Sequence, residues 1–399
     1  MGRGCATGAR RPACGPGSAA APPGASGRAH GGPKTHRSTT ASSGASVARS
    51  IRRKLMVRGM ALAACAVALA GCGGKVVEVY ETRAARPGGE ITFVVSAASN
   101  SNPYRAGREA AELLKRSMVG PPRAILVSEC FDGASAKAKV LRGICSVFPE
   151  ELVFGGATYG SFTQLGVADR DGVALLGIVG EGVYVSAALE RELGTARLSA
   201  EKDQAEIQQR LRAAGASLVR KLPAGRQGNL LIVMADAHSP KNAPLVEGVQ
   251  DALVKSVPLT GGSVNKNAGQ TYVYFQGRMY QDSAIALLVS GEFRAWMAGR
   301  QAKEGGAVVE TARGAAREAI KGVEGKPLLA LAFDCAGRKG KLANPGDELE
   351  AIRSAIGREA PLFGCYCAGE IGPADTADPR PNSRSSGVGW HIMFTILGR

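Results

Sequence analysis

Leu328-Leu329-Ala330-Leu331-Ala332-Phe333-Asp334-Cys335-Ala336-Gly337-Arg338 reads as an apolar strand that ends in a polar loop. A short helix follows, with Leu349, Ile352 and Ile356 on one face. A second strand, Pro361-Leu362-Phe363, then runs into Gly364-Cys365-Tyr366-Cys367-Ala368-Gly369-Glu370-Ile371-Gly372-Pro373. Two strand ends thus bring the Cys335 thiol, the Arg338 guanidinium, the Tyr366 phenol, the Glu370 carboxylate and bare backbone at Gly369 to neighbouring loops. Rigid strands tipped with polar groups are a common way to build a small-ligand site.

The same order of elements occurs twice upstream. Ala124-Ile125-Leu126-Val127 leads to Cys130, and a helix with Ala138, Leu141, Cys145 and Phe148 on one face follows. Leu152-Val153-Phe154 then meets Gly155-Gly156, and Val173 to Val179 forms a further strand. In the second copy Leu230-Leu231-Ile232-Val233-Met234 leads to Asp236, with Leu245, Val249, Ala252 and Leu253 as the helix stripe. Pro258-Leu259-Thr260 meets Gly261-Gly262, and Ile285 to Val289 follows. The third copy closes with the strand Ile392 to Leu397. Each copy reads as strand, polar loop, helix, strand, glycine turn, strand. Asp236, at the strand end equivalent to Cys335, joins the candidate ligand site. Longer amphipathic helices, Glu109 to Met118, Ser199 to Leu222 and Val308 to Val323, separate the strands and suit a place on a sheet surface. The expected class is α/β (α+β), with mixed β-sheets covered by helices, and two packed sheets as the layering. The glycine pairs are read as turns needing positive φ or as close passage of another chain. No Walker-type or dinucleotide fingerprint accompanies them.

Residues 1–55 are dominated by Ala, Gly, Ser, Pro and Arg and lack the apolar content to offset chain entropy, so they read as a disordered or non-native leader. Basic residues Arg52, Arg53, Lys54 and Arg58, an apolar run from Met60 to Ala70, and Leu69-Ala70-Gly71-Cys72 form a secretory signal over 56–71. Leu-Ala-Gly-Cys resembles the bacterial lipobox, which makes Cys72 the lipidated residue, followed by a tether to residue 89. The expected location is a bacterial cell membrane, inner or outer, reached by export. Of the formal net charge of +16, residues 1–71 contribute +11. The rest is scattered without aromatic interleaving, which argues against a nucleic-acid partner.

Five of the nine cysteines lie beyond Cys72: Cys130, Cys145, Cys335, Cys365 and Cys367. Disulfide pairing and buried free thiols both fit this number. Only His238 and His391 follow the leader, and no Gly-x-Ser-x-Gly elbow or His-Glu-x-x-His motif is present. A nucleophilic Cys335 needs a depressed pKa and a base, and His391 is the candidate base. Cys-x-Cys is not a usual zinc spacing, so no metal, cofactor or catalytic residue is expected.

Cys335 with Arg338 matches a Cys-x-x-Arg element, and Gly369-Glu370-Ile371-Gly372 matches a Gly-Glu-Ile element, both of the FIST family. Val140-Leu141-Arg142-Gly143, Val246-Glu247-Gly248-Val249 and Asp282-Ser283-Ala284 extend the resemblance over about residues 91–399. It implies a FIST N-like module over 90–257, a FIST C-like module over 258–399, and sensing of a small ligand such as an amino acid without a reaction. In that reading Arg338 takes a carboxylate and Glu370 an ammonium. The family's Asn-x-Thr-like element is replaced here by Trp390-His391-Ile392-Met393. No signalling output domain is recognised before Arg399, so a separate signalling partner is expected. The alternatives are a thiol-dependent enzyme using Cys335 and a structural envelope lipoprotein.

Overall fold

The computed structural model describes residues 77–223, 228–375 and 384–399, so the leader, the signal segment and Cys72 lie outside the described residues. A first strand, β1 (Val79–Glu81), precedes three copies of one unit. Copy one comprises β2 (Thr92–Ser99), α1 (Pro103–Ser117), β3 (Pro122–Glu129), α2 (Ala134–Cys145), β4 (Val153–Ala157), a hairpin β5 (Ser161–Thr163) and β6 (Gly166–Ala168), and β7 (Gly172–Val179). Copy two comprises β8 (Val183–Glu190), α3 (Gln204–Lys221), β9 (Leu230–Ala235), α4 (Asn242–Ala252), β10 (Leu259–Ser263), a hairpin β11 (Val273–Phe275) and β12 (Arg278–Tyr280), and β13 (Ala284–Gly291). Copy three comprises β14 (Arg294–Gln301), α5 (Gly305–Ile320), β15 (Leu329–Cys335), the short α6 (Ala336–Lys339) and α7 (Pro345–Ile356). It ends with β16 (Leu362–Cys367), a hairpin β17 (Glu370–Gly372) and β18 (Ser386–Val388), and β19 (His391–Gly398).

The mixed-sheet class is as expected, but the described residues form three sheets rather than two. Each is centred on one copy's parallel pair, β3 with β4, β9 with β10, and β15 with β16. The hairpin of each copy leaves its own sheet and pairs with that of the preceding copy, copy one's pairing with copy three. β5 lies antiparallel to β16, β11 to β4, and β17 to β10. The exchange is cyclic, which is why a linear reading of strand order did not count the sheets.

Strand alternation divides the core. Leu126, Met234 and Phe333 face a central cluster shared by the three sheets. Ile125, Val127, Leu231, Val233, Ala330 and Ala332 face outward to helix pairs. Both strand faces are therefore buried, and this explains the continuous apolar runs. The family-like helix motifs have a packing cause. A Cβ on Gly143 would stand 2.2 Å from the Tyr104 carbonyl, and one on Gly107 would stand 2.2 Å from that of Val140. Gly215 and Gly248 bring α3 and α4 together in the same way. Asn102 caps α1 and Pro103 occupies its first turn, so the helix begins earlier than its apolar stripe suggests.

The expected glycine turns are corrected. Gly155 and Gly261 lie inside β4 and β10, with φ of +136° and +151°. A Cβ on either would collide with the neighbouring strand, 2.1 Å from Val127 O and 1.9 Å from Val233 O. Of the two causes anticipated for them, both apply, but within strands.

Candidate functional site

The strand ends of the three copies meet in a ring of main-chain bonds. Asn265 N donates to Ala157 O at 2.8 Å, Ala368 N to Ser263 O at 3.0 Å, and Tyr159 N to Tyr366 O at 2.9 Å. Each bond joins one copy to another, so the residues beyond these strand ends share one rim. Contacts trace its circumference. The Lys266 amide donates to the Tyr159 hydroxyl at 3.0 Å, and the His238 ring reaches the backbone of Asn265. Ser239 N donates to Ala368 O at 3.1 Å. Gly389 packs so closely on Ser239 that a Cβ would stand 2.7 Å from its hydroxyl. Trp390 comes next, its indole against Gly337, and Lys339, on the same short helix that follows Cys335, donates from Nζ to Tyr159 O at 2.7 Å.

Of the six expected ligand residues, Asp236, Cys335 and Gly369 belong to this rim or its floor. Asp236 Oδ2 accepts from the Asp282 amide at 2.9 Å, and Oδ1 lies 3.1 Å from His238 Nε2. That ring nitrogen is buried and makes no aligned hydrogen bond among the described residues. Burial pushes the Asp236 carboxyl up to about 6, with Asp282 adding to it. Burial, with Lys266 and Lys241 nearby, lowers His238 to about 4. The dyad is thus held with a neutral imidazole and an easily protonated acid.

Arg338 and Tyr366 are placed elsewhere, which corrects the expected single pocket. Asp334 and Cys335 point to opposite faces of β15, and Arg338 follows Asp334. Its Nε donates to Asp334 Oδ1 at 2.7 Å, Nη2 to Glu348 Oε1 at 2.9 Å and Val308 O at 3.0 Å, and Nη1 to Thr311 Oγ1 at 2.9 Å. Arg338 is 0% exposed and braces α5 and α7 against β15. Tyr366 joins the same layer, its hydroxyl 3.3 Å from Glu348 Oε2. Copy one has an equivalent brace at the equivalent strand position. Lys137 Nζ donates to Glu129 Oε1 at 2.9 Å, and the Tyr274 hydroxyl donates to the same oxygen. Copy two has Ala235 there and needs no counter-charge.

Glu370 lies on the other side of β15 from Arg338, fully buried beneath Cys335, so the two do not form an amino-acid clamp. Its Oε2 accepts from the His391 amide at 3.0 Å, and Oε1 has no hydrogen-bond partner among the described residues. Burial raises its pKa well above the usual carboxylate range. Burial and Glu370 push the Cys335 thiol up to about 12. His391 does not face the thiol as a base, because Nδ1 lies 2.8 Å from Gly389 O and Nε2 lies 2.9 Å from Asp375 Oδ2. All five described cysteines are free, and Cys365 and Cys367 Sγ are 3.6 Å apart in the central core.

Sequence reasoning missed His238, Lys266, Tyr159 and Trp390 as members of one site. Asp236-Ala237-His238 at a strand end was a readable signal, but Tyr159 and Lys266 come together only through the strand exchange. Four surface depressions of about 310 to 560 Å³ lie elsewhere, one between β6 and α7 and another along α2, and none includes a rim residue.

A profile of the FIST N domain matches residues 124–304, and one of the FIST C domain matches residues 268–373. The chain belongs to the FIST family. FIST domains are sensory modules that bind small ligands. The two matches overlap over residues 268–304, from the hairpin of copy two to the first strand of copy three. No curated protein matches this FIST chain. Among solved structures, a cyanuric acid hydrolase is similar at 11% identity and a TM-score of 0.39, covering 77% of this chain and 99% of its own. The cyanuric acid hydrolase of A. caulinodans is similar at 10% identity and a TM-score of 0.41, over 77% and 99%.

Proposed function

We propose that this FIST chain binds a small metabolite, an amino acid or a related carboxylate, at the three-copy rim, and that it carries out no reaction there. The observation that carries this reading is the convergence of opposite charges around His238. Asp236 lies against its ring, and the exposed Lys266, next in sequence to Asn265, acts on it with the opposite charge. The weight moves from Arg338 and Glu370, whose polar groups are enclosed by the protein, to Asp236 and Lys266. Asp236 would take an ammonium group and Lys266 a carboxylate. A thiol reaction at Cys335 has little support, because a nucleophile needs a lowered pKa and a base, whereas burial raises this one.

A ligand bound only by the native state raises the melting temperature. Thermal-shift titration with amino acids and small carboxylates should raise the Tm of the parent, and Lys266→Ala and Asp236→Asn should reduce the shift. Shifts that both variants leave intact would move the site away from the rim. The reading includes export and lipid anchoring through Cys72, with the signal passed to a separate partner. Cys72→Ser should then release the protein from the membrane fraction. Retention as tight as the parent's would rule that part out.

A further inference from the structure

Trp390 occupies a position where a bulky side chain is unusual. Its φ is +66°, and the residues at the corresponding turns of the other copies are Asp171 and Asp282, at +46° and +45°. Asp tolerates this left-handed region, whereas a large aromatic side chain gains nothing locally from it. The indole lies on Gly337, where a Cβ would stand 3.1 to 3.3 Å from three ring atoms, so that glycine leaves room for it. Trp390 nevertheless keeps accessible surface, as does Tyr159. Lys339, two residues beyond Gly337 on α6, donates from Nζ to Tyr159 O at 2.7 Å, so one short helix next to Cys335 touches both aromatic residues.

The charges beside the aromatic pair select among ring-binding ligands. Lys339 Nζ also lies 3.5 Å from Asp169 Oδ2, and the main-chain amide of the exposed Lys266 donates to the Tyr159 hydroxyl. Nearby acids are engaged or enclosed: Asp375 pairs with His391, and Glu370 is fully buried. An aromatic face alone favours cations, but the exposed Lys266, whose main chain meets the Tyr159 hydroxyl, opposes one. We infer that the rim's ligand carries a flat aromatic or heteroaromatic ring bearing a carboxylate, with the ring on Trp390 and Tyr159 and the carboxylate towards Lys266. This inference rests on the rim being the ligand site.

The chain has two tryptophans. Trp296 packs on Gly322 in the helix layer, so Trp296→Phe leaves Trp390 as the reporter. Titration of this variant with benzoate and nicotinate should change its emission. Cyclohexanecarboxylate and benzyltrimethylammonium should not. Trp390→Asn retains a residue that accepts positive φ. In an otherwise parental chain it should weaken benzoate and nicotinate binding, read calorimetrically, by about tenfold, the scale of one aromatic contact. Tyr159→Leu should also weaken it. Equal binding of cyclohexanecarboxylate, unchanged affinity in Trp390→Asn, or no response to either ring carboxylate would overturn the inference. If amino acids still bind and depend on Lys266 and Asp236, the rim reading survives that failure. If ligand binding ignores Lys266, Asp236 and Trp390 alike, the rim reading falls as well.

Discussion

Asp236 and His238 show how two neighbouring residues divide the titration of a site. Asp236 has a folded pKa of about 6, above its unfolded value, so the folded state binds more protons and stability falls as pH rises from about 4 to 6. His238 has a folded value of about 4, below its unfolded value, so stability rises with pH up to about 6.5. In the parent the two slopes oppose each other. Asp236→Asn should make stability rise more steeply with pH across this window than in the parent, and His238→Asn should make it fall. Urea denaturation at intervals from pH 4 to 6.5 reads both, and slopes of the same sign in the two variants would refute the assignment. The pair could be found in the sequence as polar residues at a strand end. Its protonation could not, because that depends first on burial in the folded chain and then on the charges of Asp282, Lys241 and Lys266, which only the fold brings near.

At the level of elements, Arg338 illustrates what a motif conceals. Cys335 and Arg338 are three residues apart and were naturally read together, yet the strand sends Asp334 and Cys335 to opposite faces, and Arg338 follows Asp334. Arg338→Ala would leave Asp334 and Glu348 enclosed without their cation, a loss of about 3 to 5 kcal/mol. Lys137→Ala should cost a similar amount through Glu129. The measurement is chemical denaturation, with ligand response checked under conditions where the variant remains folded. A variant that keeps its stability but no longer responds to ligand would restore Arg338 to the site. The apolar strands and the three long helices were legible because their periods are local. The glycine roles were legible only in part: Gly143 and Gly248 act through another helix's backbone, and Gly155 and Gly261 through a neighbouring strand.

Across the whole molecule, cyclic hairpin exchange makes each sheet depend on another copy. The repeat itself was readable from strand, helix and glycine order. The exchange was not, because β5, β11 and β17 are three residues each and carry no periodic signal. It has a thermodynamic consequence. Unfolding copy one would remove β5 and β6 from the third copy's sheet and expose part of the central cluster common to all three. No copy can open without uncovering apolar surface belonging to the others, so the described region should unfold as one cooperative unit despite exceeding the size at which intermediates become common. Far-ultraviolet circular dichroism and Trp390 fluorescence in the Trp296→Phe background report on the whole fold and on copy three, and their urea midpoints should coincide. A separate, earlier transition seen by one probe would show that a copy comes away alone and would undo this account of the fold's cohesion.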